Sequence, residues 1–266
     1  MNKQIDILIS DLDGTLLNEQ KHVDTKDAHA IQKWIACGKR FWVASGRGFD
    51  CRKLLNADGV YPEYIIGSTG STIHDRYDHC IYQYQDHIHD LDQIIHDLTK
   101  LRCGFMLDHV HGDAIDLFHR YGHDPYHLVS EHIHQRLDDM IDTDTLDLNH
   151  VDVLKIFVVF EDDPMALTTQ HHLLSSYAIM AYHGDTNCLE IVPKGCSKYH
   201  ALAYLCDHLH IDISTVAAIG DEENDIDMIR HAGYGYVMAH SRDEVKVHAD
   251  HIVDSVGDAI IDLMES

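Results

Sequence analysis

No apolar run in this 266-residue chain approaches the ~18 residues that a membrane-spanning helix needs. The first ten residues, MNKQIDILIS, carry one lysine and an apolar stretch broken by Asp6, with no cleavage pattern, so a secretory leader is not expected. Basic residues are scarce: 20 Lys and Arg stand against 45 Asp and Glu, a net charge of −25. Such a chain repels nucleic acid and anionic membranes, and no basic stripe with interleaved aromatics turns up, so neither is an expected partner. Cysteine pairs with CxxC spacing are missing. The seven cysteines (37, 51, 80, 103, 188, 196, 206) are scattered and odd in number, which points to reduced thiols and a cytoplasmic protein. Proline is rare, with four residues, and repeats and low-complexity linkers are absent, so domain boundaries rest on changes of pattern.

Histidine is in excess, at 25 residues, several in close pairs such as His87/His89 and His208/His210. The pairs are spread along the chain without the spacing of a zinc site, which favours surface composition over a metal role. Below a pH of about 6.5 these imidazoles offset much of the acidic excess.

The apolar stretches divide the chain into three parts. Ile5–Ile9 reads as a buried strand, Asp24–Ala36 as a helix, Arg40–Ser45 as a strand, Phe49–Asn56 as a helix and Tyr64–Gly67 as a third strand. This β-α-β-α-β order is that of a parallel sheet with helical crossovers. The middle differs: strand-like Cys80–Gln85, an amphipathic helix over His87–Leu101, strands at Phe105–Val110 and Val153–Phe160, a helix near Glu131–Met140, then a helix and a strand up to Tyr182. From Cys188 the β-α alternation returns. The expected architecture is α/β, a Rossmann-like parallel-sheet core of residues 1–82 and 188–266 interrupted by an α+β insertion over 83–187.

Three strand ends carry complementary polar residues. The first is Asp11-Leu12-Asp13-Gly14-Thr15, where an apolar strand ends abruptly in two carboxylates. A buried strand tolerates two carboxylates only at its mouth, and in parallel α/β sheets ligands bind at that end. The second is Ser45-Gly46-Arg47, a hydroxyl beside free turn N–H groups that suit phosphate oxygens. The third is Gly220-Asp221-Glu222-Glu223-Asn224-Asp225, between a strand and a helix. Gathering Asp11, Asp13, Asp221 and Asp225 at one sheet edge is costly by like-charge repulsion, and a divalent cation would offset it. All-oxygen ligands with room for water and phosphate suit Mg²⁺. A metal beside a nucleophilic carboxylate and phosphate-grade donors implies phosphoryl transfer.

These motifs, with Lys194-Gly195-Cys196-Ser197-Lys198, resemble the haloacid dehalogenase superfamily, specifically Cof-type phosphatases with a large α/β cap inserted after the third strand, along essentially the whole chain. The resemblance implies that Asp11 attacks phosphorus and that Asp13 protonates the leaving oxygen and then activates water. Catalysis would also draw on Ser45 and Lys198, which hold the phosphoryl oxygens. Of the two nearby lysines, the family pattern selects Lys198, after the serine at a helix start, over Lys194. Substrate contacts would come from Ser45, Gly46, Arg47, Lys198 and Asn224, with Arg47 equally readable as half of a surface ion pair. Mg²⁺ would be bound by the Asp11 carboxylate, the Asp13 backbone carbonyl and Asp221, with Asp225 behind them. The chain departs from the family at Thr69-Gly70-Ser71, Tyr199 and Glu222. In the insertion, Asp108, His109, His111, His183, Gly184 and Asp185 follow strands, as surface loops or substrate-facing groups. The expected activity is a phosphatase acting on small phosphorylated metabolites. The alternatives are a phosphomutase or phosphotransferase of the same superfamily and a phosphometabolite-binding module without turnover. The oligomeric state is not legible in the sequence.

Overall fold

The structure is a computed structural model, and it describes residues 4–101, 103–109, 117–118, 141–142, 153–184 and 187–265. In chain order the first elements are β1 (Ile7–Ser10), α1 (Thr25–Ala36), β2 (Arg40–Ala44), α2 (Cys51–Ala57), β3 (Tyr64–Gly67), β4 (Thr72–Asp75) and β5 (Cys80–Gln83). There follow α3 (Leu91–Thr99), β6 (Cys103–His109), β7 (Leu117–Phe118), β8 (Ile141–Asp142), β9 (Val153–Phe160), α4 (Asp163–Ser176), β10 (Ile179–His183) and β11 (Cys188–Pro193). The last third holds α5 (Lys198–His208), β12 (Val216–Gly220), α6 (Ile226–His231), β13 (Tyr234–Met238), α7 (Asp243–Lys246), β14 (His251–Val253) and α8 (Val256–Glu265). The expected helix at Glu131–Met140 lies outside the described residues. No helix among the described residues is long and apolar enough to cross a membrane.

The chain divides into two compact units, residues 1–83 with 197–266, and residues 84–196. The first is built on an eight-stranded sheet in the order β14-β13-β12-β1-β2-β3-β4-β5. The strands from β14 to β3 run parallel, and β4 and β5 add antiparallel at one edge. Strand β1 shows why its sequence is unbroken in hydrophobicity: Leu8 packs with Ile31 and Trp34 of α1 and Ile260 of α8, while Ile7 and Ile9 pack with Leu202 and Leu205 of α5. Both faces are covered by helices, as parallel sheets require. The sequence reading missed β4. Its four residues, TIHD, are too few and too polar to stand out, and only the pairing of Ile65 with His74 and Ile66 with Ile73 reveals it.

The second unit carries a four-stranded antiparallel sheet in the order β10-β11-β9-β6. Ile94, Ile95 and Leu98 of α3 and Leu173 of α4 pack on Phe105, Leu107, Ile156, Val158 and Ile191. Here the expected return to the core at residue 188 needs correction. Strand β11 pairs antiparallel with both β10 and β9, Ile191 facing Ala181 and Ile156, so it belongs to the inserted sheet and the unit runs on to Cys196. A strand followed by a helix reads as a β-α unit in sequence, but its hydrogen bonds go to the hairpin partner before it.

The two ends of the inserted unit meet. The Tyr84 hydroxyl donates to the Lys194 carbonyl at 2.7 Å. Within the first unit Gly70, at φ +101°, lies so close to Ser197 that a Cβ would stand 2.1 Å from the Ser197 carbonyl oxygen. The first close approach joins the two ends of the insertion and the second joins residues that flank it.

Candidate active site

Three parallel strands deliver the polar residues to one edge of the first unit. Ser10 of β1 is level with Val43 of β2 and with Ile219 of β12, so the residues just beyond these strands, Asp11, Ser45 and Asp221, emerge side by side. The Asp11 N–H still donates to the Ile219 carbonyl at 2.9 Å, which fixes the nucleophile candidate to the sheet.

Lys198 opens α5, whose N-cap Ser197 accepts from the His200 N–H. The ammonium is 1% exposed and bridges two buried carboxylates, at 2.6 Å from Asp11 Oδ1 and 2.8 Å from Asp225 Oδ1. Lys194, its sequence rival, is exposed. The other Asp225 oxygen accepts from the backbone N–H groups of Asp221 and Glu222, at 3.1 and 3.2 Å. Asp225 thus has both oxygens engaged by the protein. Asp221 Oδ1 accepts from the Thr15 hydroxyl at 2.7 Å.

Asp11, Asp221 and Asp225 form a buried triad with oxygens within 4.8 Å of one another. Burial raises Asp11 well above the ordinary carboxylate range; Lys198 opposes this, and Asp225 and Asp221 add to it. Burial, then the Asp225 charge, pushes Asp221 up to about 8. Lys198 goes the other way: burial would lower it, but Asp11 and Asp225 hold its ammonium far above the ordinary lysine range. Three carboxyl groups share one buried cation, the crowding that disfavours ionisation of Asp11 and Asp221, and all the donors are hard oxygens. That donor set fits a divalent cation of the Mg²⁺ type.

Asp13 stands apart from this triad. Arg47 grips it with two bonds, Nε to Oδ2 at 2.6 Å and Nη2 to Oδ1 at 2.8 Å, and Lys21 Nζ reaches Oδ1 at 2.8 Å. Partial burial would raise Asp13, but Arg47 and then Lys21 outweigh it and hold the carboxyl well below its ordinary range. Arg47, expected at the substrate or in an ion pair, is in the pair. Ser45 is buried, and its hydroxyl oxygen accepts from the Arg47 N–H at 3.1 Å. Gly46 lies between them. Asn224 is half-buried in the single 3₁₀ turn Glu223–Asp225. Glu222, half-buried, pairs with Arg242 at 3.0 Å. In the inserted unit Asp108 lies 3.5 Å from the buried Lys155, and His183 is buried 3.2 Å from Asp163; His111 and Asp185 lie outside the described residues.

The sequence alone assigns no separate role to Thr15 or to Lys21. Thr15 reaches a partner 206 positions away, which no local pattern reveals. Lys21 sits in the polar run Asn-Glu-Gln-Lys-His, which reads as solvated loop.

The profile of the haloacid dehalogenase-like hydrolases matches residues 8–262. The 5-amino-6-(5-phospho-D-ribitylamino)uracil phosphatase YitU of Bacillus subtilis is 24% identical over 245 residues, covering 90% of this chain and 88% of that protein. The chloroplastic endoribonuclease YBEY of Arabidopsis thaliana is 23% identical over 284 residues; the match takes in 95% of this chain but spans only 45% of that longer protein. Among solved structures, BT1666 from Bacteroides thetaiotaomicron, a phosphatase of the haloalkanoate (HAD) enzyme superfamily, superposes with a TM-score of 0.81 at 21% identity over 99% of this chain and 96% of that one, a likeness of fold. With its profile matched from the first strand to the last helix, the chain belongs to the haloacid dehalogenase-like hydrolase family and is an enzyme of its Cof-type group.

Proposed function

We propose that this hydrolase is a Mg²⁺-dependent phosphatase that acts on small phosphorylated metabolites, sugar phosphates or phosphates of cofactor pathways, through an aspartyl-phosphate on Asp11. The observation that carries the reading is the buried Lys198 ammonium between Asp11 and Asp225, with Asp221 alongside. The name of the relative YitU, a phosphatase of a small phosphorylated metabolite, supports the substrate class.

Asp11 has one oxygen on Lys198 and Asp221 one on Thr15; the second oxygen of each would hold the cation, together with the Asp13 backbone carbonyl, with His240 Nε2 3.7 Å from that Asp221 oxygen. Asp225, with both oxygens engaged, acts behind them. Bound there, Mg²⁺ would supply positive charge against the phosphoryl oxygens. The chain's own groups do the rest. The Asp11 carboxylate forms a bond to phosphorus as the bond to the leaving oxygen breaks, and that oxygen takes a proton from Asp13, which must first be protonated against the pull of Arg47 and Lys21. Asp13, now a carboxylate, takes a proton from water; the hydroxide oxygen bonds to phosphorus, the Asp11–phosphorus bond breaks, and phosphate leaves. Ser45 and Lys198 hold the phosphoryl oxygens throughout, and a positioned acid and base of this kind is worth about 10²–10⁴-fold. The seven free thiols suit a reducing compartment, and the cytoplasm is the proposed location.

The test is hydrolysis of p-nitrophenyl phosphate and of a panel of phosphorylated metabolites. Phosphate release is expected with Mg²⁺ and is expected to vanish with excess chelator. No release from any substrate across divalent metals would overturn the reading in favour of a binding module.

Gly14 gives a second, local test. It sits at φ +82°, and a Cβ there would lie 2.2 Å from Asp221 Oδ2. Gly14→Ala must displace the Asp221 carboxylate besides straining a left-handed backbone, a strain of about 1–2 kcal/mol. Calorimetric titration with Mg²⁺ is expected to give an affinity about 10–100-fold weaker, the scale on which misplaced ligands cost binding.

A further inference from the structure

Lys21 has a structural setting that a surface lysine does not need. The loop after β1 folds back on itself: the Asn18 N–H donates to the His22 carbonyl at 2.9 Å and the Lys21 N–H to the Asn18 carbonyl at 2.9 Å. Asn18 Oδ1 accepts from the N–H groups of Gln20 and His22 at 3.0 and 3.1 Å. The loop is then fastened to the end of α2, where the Val23 N–H donates to Asp58 Oδ2 at 2.8 Å. Inside this frame Lys21 adopts φ +61°, a left-handed conformation that a non-glycine residue holds only when its surroundings impose it. The result is that Nζ reaches Asp13 Oδ1 at 2.8 Å, the oxygen that Arg47 Nη2 also holds. Arg47 comes from the turn after β2 and Lys21 from the loop after β1, so the carboxyl is gripped from two separate segments.

We infer that Lys21 is a positioning residue for the acid and base of the reaction: with Arg47 it fixes the Asp13 carboxyl in the orientation that serves the leaving oxygen. The inference rests on the phosphatase reading above. A half-exposed ion pair by itself contributes little, but a carboxyl that must meet an oxygen within hydrogen-bond reach loses rate steeply when misplaced, by up to about 10²-fold for 1 Å.

The leaving group separates this role from a general one. The value of kcat/KM reports the steps through formation of the aspartyl-phosphate. A poor leaving group such as the alkoxide of glycerol 2-phosphate needs Asp13's proton in that step; p-nitrophenolate does not. For Lys21→Met with Mg²⁺, kcat/KM on glycerol 2-phosphate is expected to fall about tenfold or more, with at most a twofold fall on p-nitrophenyl phosphate. Lys21→Arg is expected to restore most of the loss, and Lys21→Met should add nothing in an Asp13→Asn background. An equal fall on both substrates would assign Lys21 to phosphate binding or folding and overturn the inference, as would no fall on either. If the unaltered protein hydrolyses neither substrate, the phosphatase reading itself fails, which is a distinguishable result.

Discussion

Asp11→Asn is expected to abolish phosphate release, by ~10⁴-fold or more, the scale on which removal of a covalent nucleophile acts. The substitution is close to isosteric, and its amide oxygen still accepts from the Lys198 ammonium that stands 2.6 Å from Asp11 Oδ1. What disappears is the anionic lone pair that would bond to phosphorus. Stability should move the other way. Asp11 is one of three buried carboxylates that crowd together, and its charge is disfavoured by burial. Without added metal the variant is therefore expected to unfold at a temperature equal to or above that of the unaltered protein. This opposition between activity and stability marks a group kept for chemistry. A complementary measurement uses hydroxylamine, which cleaves acyl phosphates: with substrate and the unaltered protein, a hydroxamate should appear on the peptide that contains Asp11. Turnover within tenfold of normal in Asp11→Asn would remove the nucleophile assignment.

Lys198→Met is expected to cost both stability and rate. Among the described residues the ammonium is the one cation paired with Asp11 and Asp225, and all three groups are buried. Breaking a buried pair by removing one partner typically costs about 3–5 kcal/mol, because the remaining charge is left uncompensated. Here two carboxylates lose their partner at once. Part of that cost is relieved if one of them takes up a proton, and burial already pushes Asp11 in that direction. The loss should therefore be larger at pH 8 than at pH 5, and urea denaturation at the two values reads it directly. Mg²⁺ should recover some of the loss by replacing positive charge at the triad. Activity is expected to drop about 10²–10³-fold, the effect of removing one donor to a phosphoryl-type oxyanion. A variant with unchanged stability and with activity within tenfold would contradict the role of Lys198.

Much of the core could be read in advance because parallel strands are buried on both faces. The run Ile7–Ser10 is fully buried, and so is Val216–Gly220. Their unbroken hydrophobicity is a direct record of two helical layers. The same reasoning fails where pairing rather than burial defines an element. Strand β4 is four residues long with a buried histidine, and β11 looks like the start of a β-α unit until its partners are known. The candidate site divides along similar lines. Asp11, Asp13, Ser45 and Asp221 were legible because polar residues that end apolar runs are expensive unless something uses them. The partnerships were not. Arg47 chooses Asp13 across 34 positions and Thr15 chooses Asp221 across 206, and neither distance leaves a trace in local composition. The division between a triad of carboxylates around Lys198 and a separate Asp13 held by cations is a product of folding that no single segment encodes.

The meeting of the two ends of the inserted unit has a consequence for how such a chain can change. Tyr84 bonds to Lys194 at 2.7 Å, so 111 residues leave and return through what amounts to a closed neck. The entropic cost of a closed loop grows only as the logarithm of its length, so lengthening or shortening the insert by half alters that cost by well under ~1 kcal/mol. The strand order of the first unit, and with it the register that sets Asp11 beside Asp221, is indifferent to what hangs from the neck. An insert of another length between the same two ends is therefore expected to leave the β1–β12 register intact.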